Sequence, residues 1–408
     1  MKKVSKKFFM PCLFGLYALT IPQKSEAQSS SQVALGSGLT LTSDDDEYSF
    51  SISGTVQPFM SIASTSSNRD IALYPGLTIM RIQATALSEK VTLFTQMNFS
   101  DGSPLLDGFL SFRASKRTRF SVGQRPNVGN NREMQFYEDQ LAFVNRSSIS
   151  TTFSKSGREF GLQAIHHFTL GNVIVEPMWS VTSGDGRNSF GIDSRDVDLG
   201  GLKYAGRIDL YPLGEFSKGN DVGTTDLVGE ESLKFVLGLS GSYNQGASDR
   251  VGEGHGEIFF YDASGKPAYP DFRKWSADVL MKYRGFSLLT EVVQTTATNL
   301  LELRTTPLPT SALMPTMISN YLVLGTGYHA LAEYRKGDHW GVQGRYSIIY
   351  AEFEENAQSL IHTNATWTGG ITYYLMGNDA KIHLEVGKTL DVLRTSQTVL
   401  QAVMQIRF

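Results

Sequence analysis

The chain ends on the stretch TVLQAVMQIRF, residues 398–408, in which two sets of side chains alternate without a break. A period of two puts one face of a strand in lipid and the other in a polar lumen. An aromatic carboxy-terminal residue in such a strand is typical of bacterial outer-membrane barrels. The stretch therefore predicts an all-β fold, a transmembrane antiparallel up-and-down β-barrel, with Phe408 as its assembly signal and lipid-interface anchor. The apolar face carries Leu400, Ala402, Met404, Ile406 and Phe408, and the other face carries Val399, Gln401, Val403, Gln405 and Arg407.

The first 27 residues have the pattern of a cleaved signal peptide. A lysine-rich start precedes an apolar run at 8–22 and a small-residue cleavage site that ends at Ala27. The apolar run is shorter than the roughly 20 residues that a spanning helix needs. The one cysteine, Cys12, lies within this segment. We therefore expect a mature chain without disulfides, iron–sulfur clusters or Cys-ligated zinc, and no cofactor.

Alternation recurs along the rest of the chain and predicts about 16 strands, with residues 28–47 as a flexible N-terminal segment and 48–408 as the barrel. A barrel of roughly 16–18 strands leaves an aqueous channel. The predicted strands are 48–62, 73–87, 89–99, 107–115, 117–124, 158–168, 171–182, 197–211, 232–245, 273–284, 285–296, 321–335, 339–353, 364–376, 379–391 and 397–408.

The connections between these strands alternate in length, as expected when short periplasmic turns face longer outer loops. One connection, 212–231, is long where a short turn belongs. Either the register is shifted there by one hairpin or the barrel has an extended turn at that place. The longest loop, near 125–157, is the natural candidate to fold inward and narrow the pore.

Composition agrees with a barrel that has a wet interior. Only 41% of the 408 residues are hydrophobic and 11% are aromatic, and the formal net charge is −3. A chain of this charge is not polybasic, so nucleic acid is not an expected partner.

Three segments around the longest loop resemble the phosphate-selective porin O and P family. They are VGQRP at 122–126, LAFVNRS at 141–147 and GREFGLQ at 157–163, and weaker likenesses follow in order over nearly all of the mature chain. The resemblance implies a sixteen-stranded outer-membrane porin that is a homotrimer and is general or anion-preferring. Residues 28–43 lack the heptads of the coiled-coil arm that some members carry, so no trimer can be inferred from that segment.

Alternation places a set of basic side chains opposite the apolar faces of the strands, so they should point into the lumen. On the lipid face, a guanidinium at the membrane midplane would cost roughly 2–4 kcal/mol. Basic groups in a narrow pore would attract anions and repel cations. The alternative is that they pair with Glu133, Glu138, Asp139 and Glu159 and cross-link the loop to the wall. The candidates for pore lining and anion binding are Arg81, Arg113, Arg119, Arg125, Lys203, Arg207, Lys282 and Arg345 on the wall, with Arg132, Arg146 and Arg158 added if the loop enters the pore.

Catalytic and metal sites find little support in the sequence. None of the histidines belongs to a recognisable Ser/His/acid arrangement, and the adjacent His166 and His167 point to opposite faces of a strand. The acidic run at 44–47 and the loop around Asp185 and Asp193 are more typical of a solvated tail and a turn than of calcium sites. No enzymatic activity and no metal site are therefore predicted.

The function predicted from the sequence is passive diffusion of small hydrophilic solutes through a porin in the bacterial outer membrane, with a possible preference for anions such as phosphate. The alternatives are a specific channel for hydrophobic substrates and a structural or adhesion component of that membrane. The expected partners are outer-membrane lipid, the solutes, further copies of the chain and the barrel-assembly machinery.

Overall fold

The computed structural model describes residues 30–34, 36–65, 68–189, 201–254, 256–300, 302–391 and 396–408. The predicted signal peptide at 1–27 lies outside them, as do Asp193, Asp196 and His255 of the loops. No helix among the described residues is long and apolar enough to cross a membrane.

Nineteen strands and a few short helices make up the described chain. The helical pieces are α1 (Arg132–Gln135), a 3-10 turn (Glu138–Gln140), α2 (Ser148–Phe153) and α3 (Pro315–Ile318). The strands are β1 (Ser30–Ala34), β2 (Gly38–Thr42), β3 (Ser49–Ser64), β4 (Arg69–Ala86), β5 (Val91–Asn98), β6 (Leu105–Arg113), β7 (Thr118–Pro126), β8 (Arg158–His166), β9 (Phe168–Leu170), β10 (Val173–Thr182), β11 (Lys203–Tyr211), β12 (Lys234–Asn244), β13 (Asp271–Tyr283), β14 (Phe286–Thr298), β15 (Gly325–Lys336), β16 (Trp340–Ala351), β17 (Asn364–Met376), β18 (Ala380–Asp391) and β19 (Gln397–Arg407).

Strands β3 to β19 form one closed antiparallel barrel. Strands β8 and β9 both pair with β10 and count as one interrupted strand, so the wall has 16. The barrel closes where β19 pairs with β3, with Leu400 opposite Ile62 and Gln401 opposite Ser61. The predicted fold class and strand number are confirmed, and the predicted segment 364–376 coincides with β17.

The alternation of side chains explains why these segments form the wall. On β18, Ile382, Leu384 and Val386 are 42–50% exposed on the outside. The intervening Lys381 and Glu385 are buried on the inside. An apolar outer face and a polar inner face are what a strand between lipid and a lumen requires.

The connections divide the barrel into two ends, named here by their lengths. The short-turn end carries turns as tight as 171–172 and 284–285, as well as the carboxy terminus. The long-loop end carries the longer connections, among them 245–270 and 299–324, whose apolar side chains pack together around Phe260. Of the two explanations for the long connection after Tyr211, the extended turn is the one observed, because β11 and β12 pair directly and residues 212–233 join them at the short-turn end.

The N-terminal segment differs from the flexible arm expected for 28–47. Strands β1 and β2 form a hairpin, and β2 pairs with the start of β3, with Leu41 opposite Phe50. The physical reason is that GLTLT at 38–42 alternates like the wall strands. Residues 49–52 of β3 lie beyond the part of that strand that pairs with β19, so their free edge can form backbone hydrogen bonds with β2.

Residues 127–157 form a long inward loop, called the lumen loop below, which contains α1, the 3-10 turn and α2. Phe136, Leu141 and Phe143 pack against inward-facing apolar residues of the wall such as Leu280 and Leu331. Farther along, Ile149 and Phe153 of α2 pack on Val293 and Ile349. Two apolar contacts thus seat the loop against the β12–β16 side of the wall.

Candidate functional site

The tip of the lumen loop is anchored by one buried carboxylate. Asp139 forms a bidentate ion pair with Arg81 of β4 at 2.7 and 2.8 Å, and it accepts a hydrogen bond from Thr55 of β3 at 2.8 Å. Arg407 of β19 lies 3.3 Å away on the same carboxylate. These contacts draw three wall strands to one point of the loop and leave Arg81 with no free charge toward the lumen.

A second anchor joins the loop to β6 and β8. Arg158 donates to Glu138 at 2.7 Å and to Asp107 at 3.0 Å. Arg146 reaches the same Glu138 at 3.3 Å and also donates to the carbonyls of Glu133 and Phe136. Burial alone would raise the pKa of the Glu138 carboxyl, but Arg158 and then Arg146 outweigh burial and hold this pKa well below its usual range.

A third cluster places two arginines between two aspartates. Arg207 of β11 pairs with Asp278 of β13 at 2.7 Å and with its own strand neighbour Asp209 at 2.9 Å. Arg132 of the lumen loop pairs with Asp278 at 2.5 Å and Asp209 at 2.8 Å. The four charges cancel, and all four side chains are nearly fully buried.

Two lysines are neutralised nearer the long-loop end. Lys203 of β11 pairs with Glu159 of β8 at 2.6 Å. Lys274 of β13 pairs with Glu253 of the 245–270 loop at 3.1 Å and donates to Asn130 of the lumen loop at 2.6 Å. Lys203 thus joins two wall strands and also donates to the Gly252 carbonyl of the 245–270 loop at 3.2 Å, and Lys274 connects the wall to both loops.

The remaining two predicted candidates on the β12–β16 side also have partners. Arg345 donates to the carbonyl of Asn145 at 2.7 Å and lies over the ring of Phe143, 4.6 Å from its centroid. Lys282 donates to the backbone carbonyls of Asn220, Gly223 and Thr225 in the 212–233 connection. Most of the basic side chains predicted to line the pore are thus held by the protein, namely Arg81, Arg132, Arg146, Arg158, Lys203, Arg207, Lys282 and Arg345.

Three candidates on β6 and β7 differ from these, and they are called the basic strip below. Arg113 is paired only with the exposed Glu89 at 3.1 Å. Arg119 is exposed and makes no ion pair within the described part of the chain. Arg125 donates to Ser121 at 2.9 Å and lies over the ring of Phe109, while its buried Nε has no partner. The strip thus keeps most of its charge.

The basic strip faces the lumen. Arg113 and Arg119 are directly opposite each other across β6 and β7, and Ser121 on the same face is buried. Phe120 and Val122 occupy the other, lipid-facing side and are more than 40% exposed. Water also reaches the inner face of β4 at Gln83. The accessible part of the lumen at the short-turn end therefore lies along β4–β10.

The other residues singled out in the sequence have structural surroundings. Phe408 exchanges backbone hydrogen bonds with Gly54 and exposes half of its ring. His166 lies 2.9 Å from Thr118, and His167 lies 3.5 Å from Glu215. Among the described residues, no group of three His, Cys, Asp or Glu side chains could hold a metal ion.

Known proteins resemble this chain in structure rather than in sequence. No protein-family model matches the chain, and no curated protein matches its sequence. Solved structures do match. OprB of Pseudomonas putida superposes with a TM-score of 0.56 at 11% identity, over 89% of this chain and 95% of that one.

The outer-membrane channel DcaP of Acinetobacter baumannii gives 0.52 at 10% identity, over 90% and 99% of the two chains. OmpF of Salmonella typhi gives 0.51 at 11% identity, over 89% and 99%. The chain shares its fold with bacterial outer-membrane porins. At these identities the likeness extends to the fold alone, and it agrees with the sixteen strands described above.

Sequence reasoning named Glu138, Asp139 and Glu159 as alternative partners of the basic groups, and these pairs are observed, but it missed four other acidic residues of the lumen. Asp107, Asp209, Asp278 and Glu253 neutralise basic groups of the wall and the loop, and the sequence pattern singled out none of them. The spacing of Asp209, two residues after Arg207, already placed it on the same face of the same strand. For Asp278 no such local signal exists, because it meets Arg207 across an intervening strand.

Proposed function

We propose that the chain is a bacterial outer-membrane porin for passive diffusion of small hydrophilic solutes, with a preference for small anions such as phosphate. The observation that carries the proposal is the basic strip, which keeps most of its charge on the accessible side of the lumen, whereas the other candidate cations are held by ion pairs or hydrogen bonds within the protein. Fixed positive charge at a narrow passage attracts anions and repels cations. The likeness of the loop motifs to the porin O and P family agrees with this preference.

Several outward-facing features support placement in a membrane. Tyr334 and Trp340 lie near the short-turn end and are 51% and 54% exposed, and Tyr204 and Trp275 lie near the long-loop end and are 49% and 43% exposed. Two aromatic girdles that flank an apolar band are the pattern of an outer-membrane barrel. Export through the signal peptide at 1–27, insertion by the barrel-assembly machinery and assembly as a homotrimer belong to the same proposal.

The test is the current through planar bilayers that contain the refolded barrel. Stable ion-permeable steps are expected, and in a salt gradient the reversal potential should have the sign of anion preference. Arg119→Ala should move the reversal potential toward cations, since it removes an unpaired lumen charge. Lys266→Ala is the matched control, because it removes one exposed positive charge from the 245–270 loop.

Three outcomes would contradict the proposal. A barrel that never conducts would refute the porin and favour a structural or adhesion role. Cation preference in the unchanged protein would refute the role given to the basic strip. Uptake of apolar but not of charged solutes into vesicles would favour the alternative of a channel for hydrophobic substrates.

A further inference from the structure

The connection between β11 and β12 is much longer than other turns at the short-turn end of the barrel. Other turns of the short-turn end are as small as 171–172 and 284–285, whereas this one comprises residues 212–233. It is called the short-end cap below. A connection of this length without helix or strand in a compact barrel calls for a physical reason.

The short-end cap is organised around its own buried carboxylates. Asp226 is fully buried and accepts hydrogen bonds from the backbone of Gly229 at 2.9 Å and of Glu230 at 3.1 Å, and from the Asn220 amide at 2.8 Å. Glu230 accepts two hydrogen bonds from Ser217, at 2.7 and 2.9 Å. A segment whose buried polar groups are satisfied in this way has one preferred conformation.

Three wall strands hold the cap in place. Lys282 of β13 is completely buried and donates all three of its protons to cap carbonyls. Thr225 of the cap donates to Glu333 of β15 at 2.8 Å, and Tyr374 of β17 donates to the other oxygen of Glu333 at 2.7 Å. The cap therefore extends from β11 across to β17 beneath the barrel.

The cap also contacts the lumen loop from below. Phe216 packs with the cluster that contains Phe136 and Phe143 of the loop and Val236 of β12. Gly223 approaches Gln140 so closely that a Cβ at this position would lie 2.6 Å from its carbonyl oxygen. A cavity of about 220 Å³ is left between the cap, Gln140 and the β17–β18 turn. Cap and loop thus fill this side of the lumen as one packed unit.

We propose that the short-end cap is a fixed floor that closes the β11–β17 side of the lumen, so that the only mouth at the short-turn end, among the described residues, is the one along the basic strip. The consequence for solutes rests on the proposed function, whereas the floor itself does not. A solute that enters or leaves at this end must then pass Arg113 and Arg119.

Cysteine accessibility tests the floor directly. The sequence after residue 27 contains no cysteine, so a single introduced thiol reports on its own position. Val236→Cys lies on the lumen side of the cap, where Val236 is fully buried, and Gln83→Cys lies at a comparable height on the accessible side. In the refolded barrel, a water-soluble maleimide should label Gln83→Cys at least about tenfold faster, because a buried thiol reacts only through local opening.

A variant with a shortened cap identifies the cause of the protection. A Gly-Asn-Gly turn in place of residues 213–232 should bring the labelling rate of Val236→Cys to within about threefold of that of Gln83→Cys. The same change should raise the single-channel conductance about twofold, since it widens the mouth. Equal labelling in the full-length barrel, or protection that persists after the cap is shortened, would overturn the proposal.

A milder variant covers the case in which the shortened chain does not fold. Thr225→Val removes the hydrogen bond from the cap to Glu333. It should raise the labelling rate of Val236→Cys several-fold while the heat-modifiable mobility of the folded barrel is retained. An unchanged labelling rate in this variant would show that the hydrogen bond between Thr225 and Glu333 of β15 does not hold the cap in place. The labelling experiment does not depend on ion conduction. A barrel that protects Val236→Cys but never conducts would therefore refute the proposed porin function and still support the cap as a floor of the lumen.

Discussion

The carboxylate of Asp139 lies 2.7 Å from the guanidinium of Arg81 and engages it through both oxygens. One partner belongs to the tip of the lumen loop and the other to the wall, so this pair fixes how deep the loop enters the barrel. Both side chains are nearly fully buried, and removal of one partner from such a pair leaves an uncompensated charge.

Replacement of Asp139 by asparagine should therefore destabilise the loop and the barrel together. We expect a loss of about 2–4 kcal/mol in the free energy of unfolding, because Arg81 loses its counter-charge and Arg407 keeps only its pair with Asp379. The change is measured as the midpoint of urea unfolding of the refolded barrel, with the folded fraction at each urea concentration read from the heat-modifiable mobility. Glu89→Gln is the control, since Glu89 pairs with Arg113 at the exposed rim and should leave the midpoint unchanged. Equal midpoints for both variants would contradict the anchoring role of Asp139.

The Lys203–Glu159 pair should show strong energetic coupling. The Lys203 ammonium and the Glu159 carboxylate are 2.6 Å apart and both side chains are buried, so each compensates the charge of the other away from water. A double-mutant cycle with Lys203→Met and Glu159→Gln should give a coupling of about 1–3 kcal/mol. The same cycle on Arg113 and Glu89 should give a coupling near zero, because that pair is exposed to solvent. Similar coupling energies in both cycles would show that burial does not make the Lys203–Glu159 pair stronger than the Arg113–Glu89 pair.

The loop anchors should hold through mildly acidic pH. Burial opposes ionisation of Glu138 and Asp139, but Arg158 and Arg81 respectively outweigh it, so the pKa of each carboxyl is lowered. A lowered folded-state pKa contributes stability that is present above the unfolded value of about 4 and is lost as the pH falls through the folded one. Single-channel conductance should thus stay constant from about pH 8 to pH 5, and the loop should loosen only below about pH 4. A conductance change centred near pH 6 would contradict this assignment.

The wall could be predicted from the sequence because its information is local. A side-chain period of two is visible within one strand, as in 48–62 and 397–408, and it requires no knowledge of the neighbouring strands. The β1–β2 hairpin was missed because Ser-rich and acidic residues around GLTLT suggested a tail. Pairing to a free strand edge, which cannot be read from composition, decided its structure.

The state of the lumen charges could be predicted only in part. Alternation placed Arg207 inside the barrel, but whether it is free depends on Asp278, two strands away, and on Arg132 of the loop. Such a cluster follows from strand order and loop conformation together. Arg119 lacks the acidic neighbour two residues away that Arg207 has in Asp209, but only the three-dimensional arrangement shows that it forms no ion pair within the described residues.

Gly123 in the VGQ segment of β7 should be intolerant of a side chain. Its φ of 127° lies in the region that favours glycine, and a Cβ there would lie 2.3 Å from the carbonyl oxygen of Gly108 on the paired strand. Gln124, immediately after it, is buried and donates to the carbonyl of Leu106 at 2.9 Å.

Gly123→Ala must therefore displace β7 from β6 and disturb the segment that leads into the lumen loop. We expect a loss of about 2–4 kcal/mol in the free energy of unfolding, together with a lower yield of heat-modifiable barrel. Gly344→Ala is the matched control, because Gly344 lies on the outer face of β16 and a Cβ at this position would have no atom within 4 Å. If the two variants refold with equal yield and unfold at the same urea concentration, close approach of the backbone at Gly123 is not what selects glycine there.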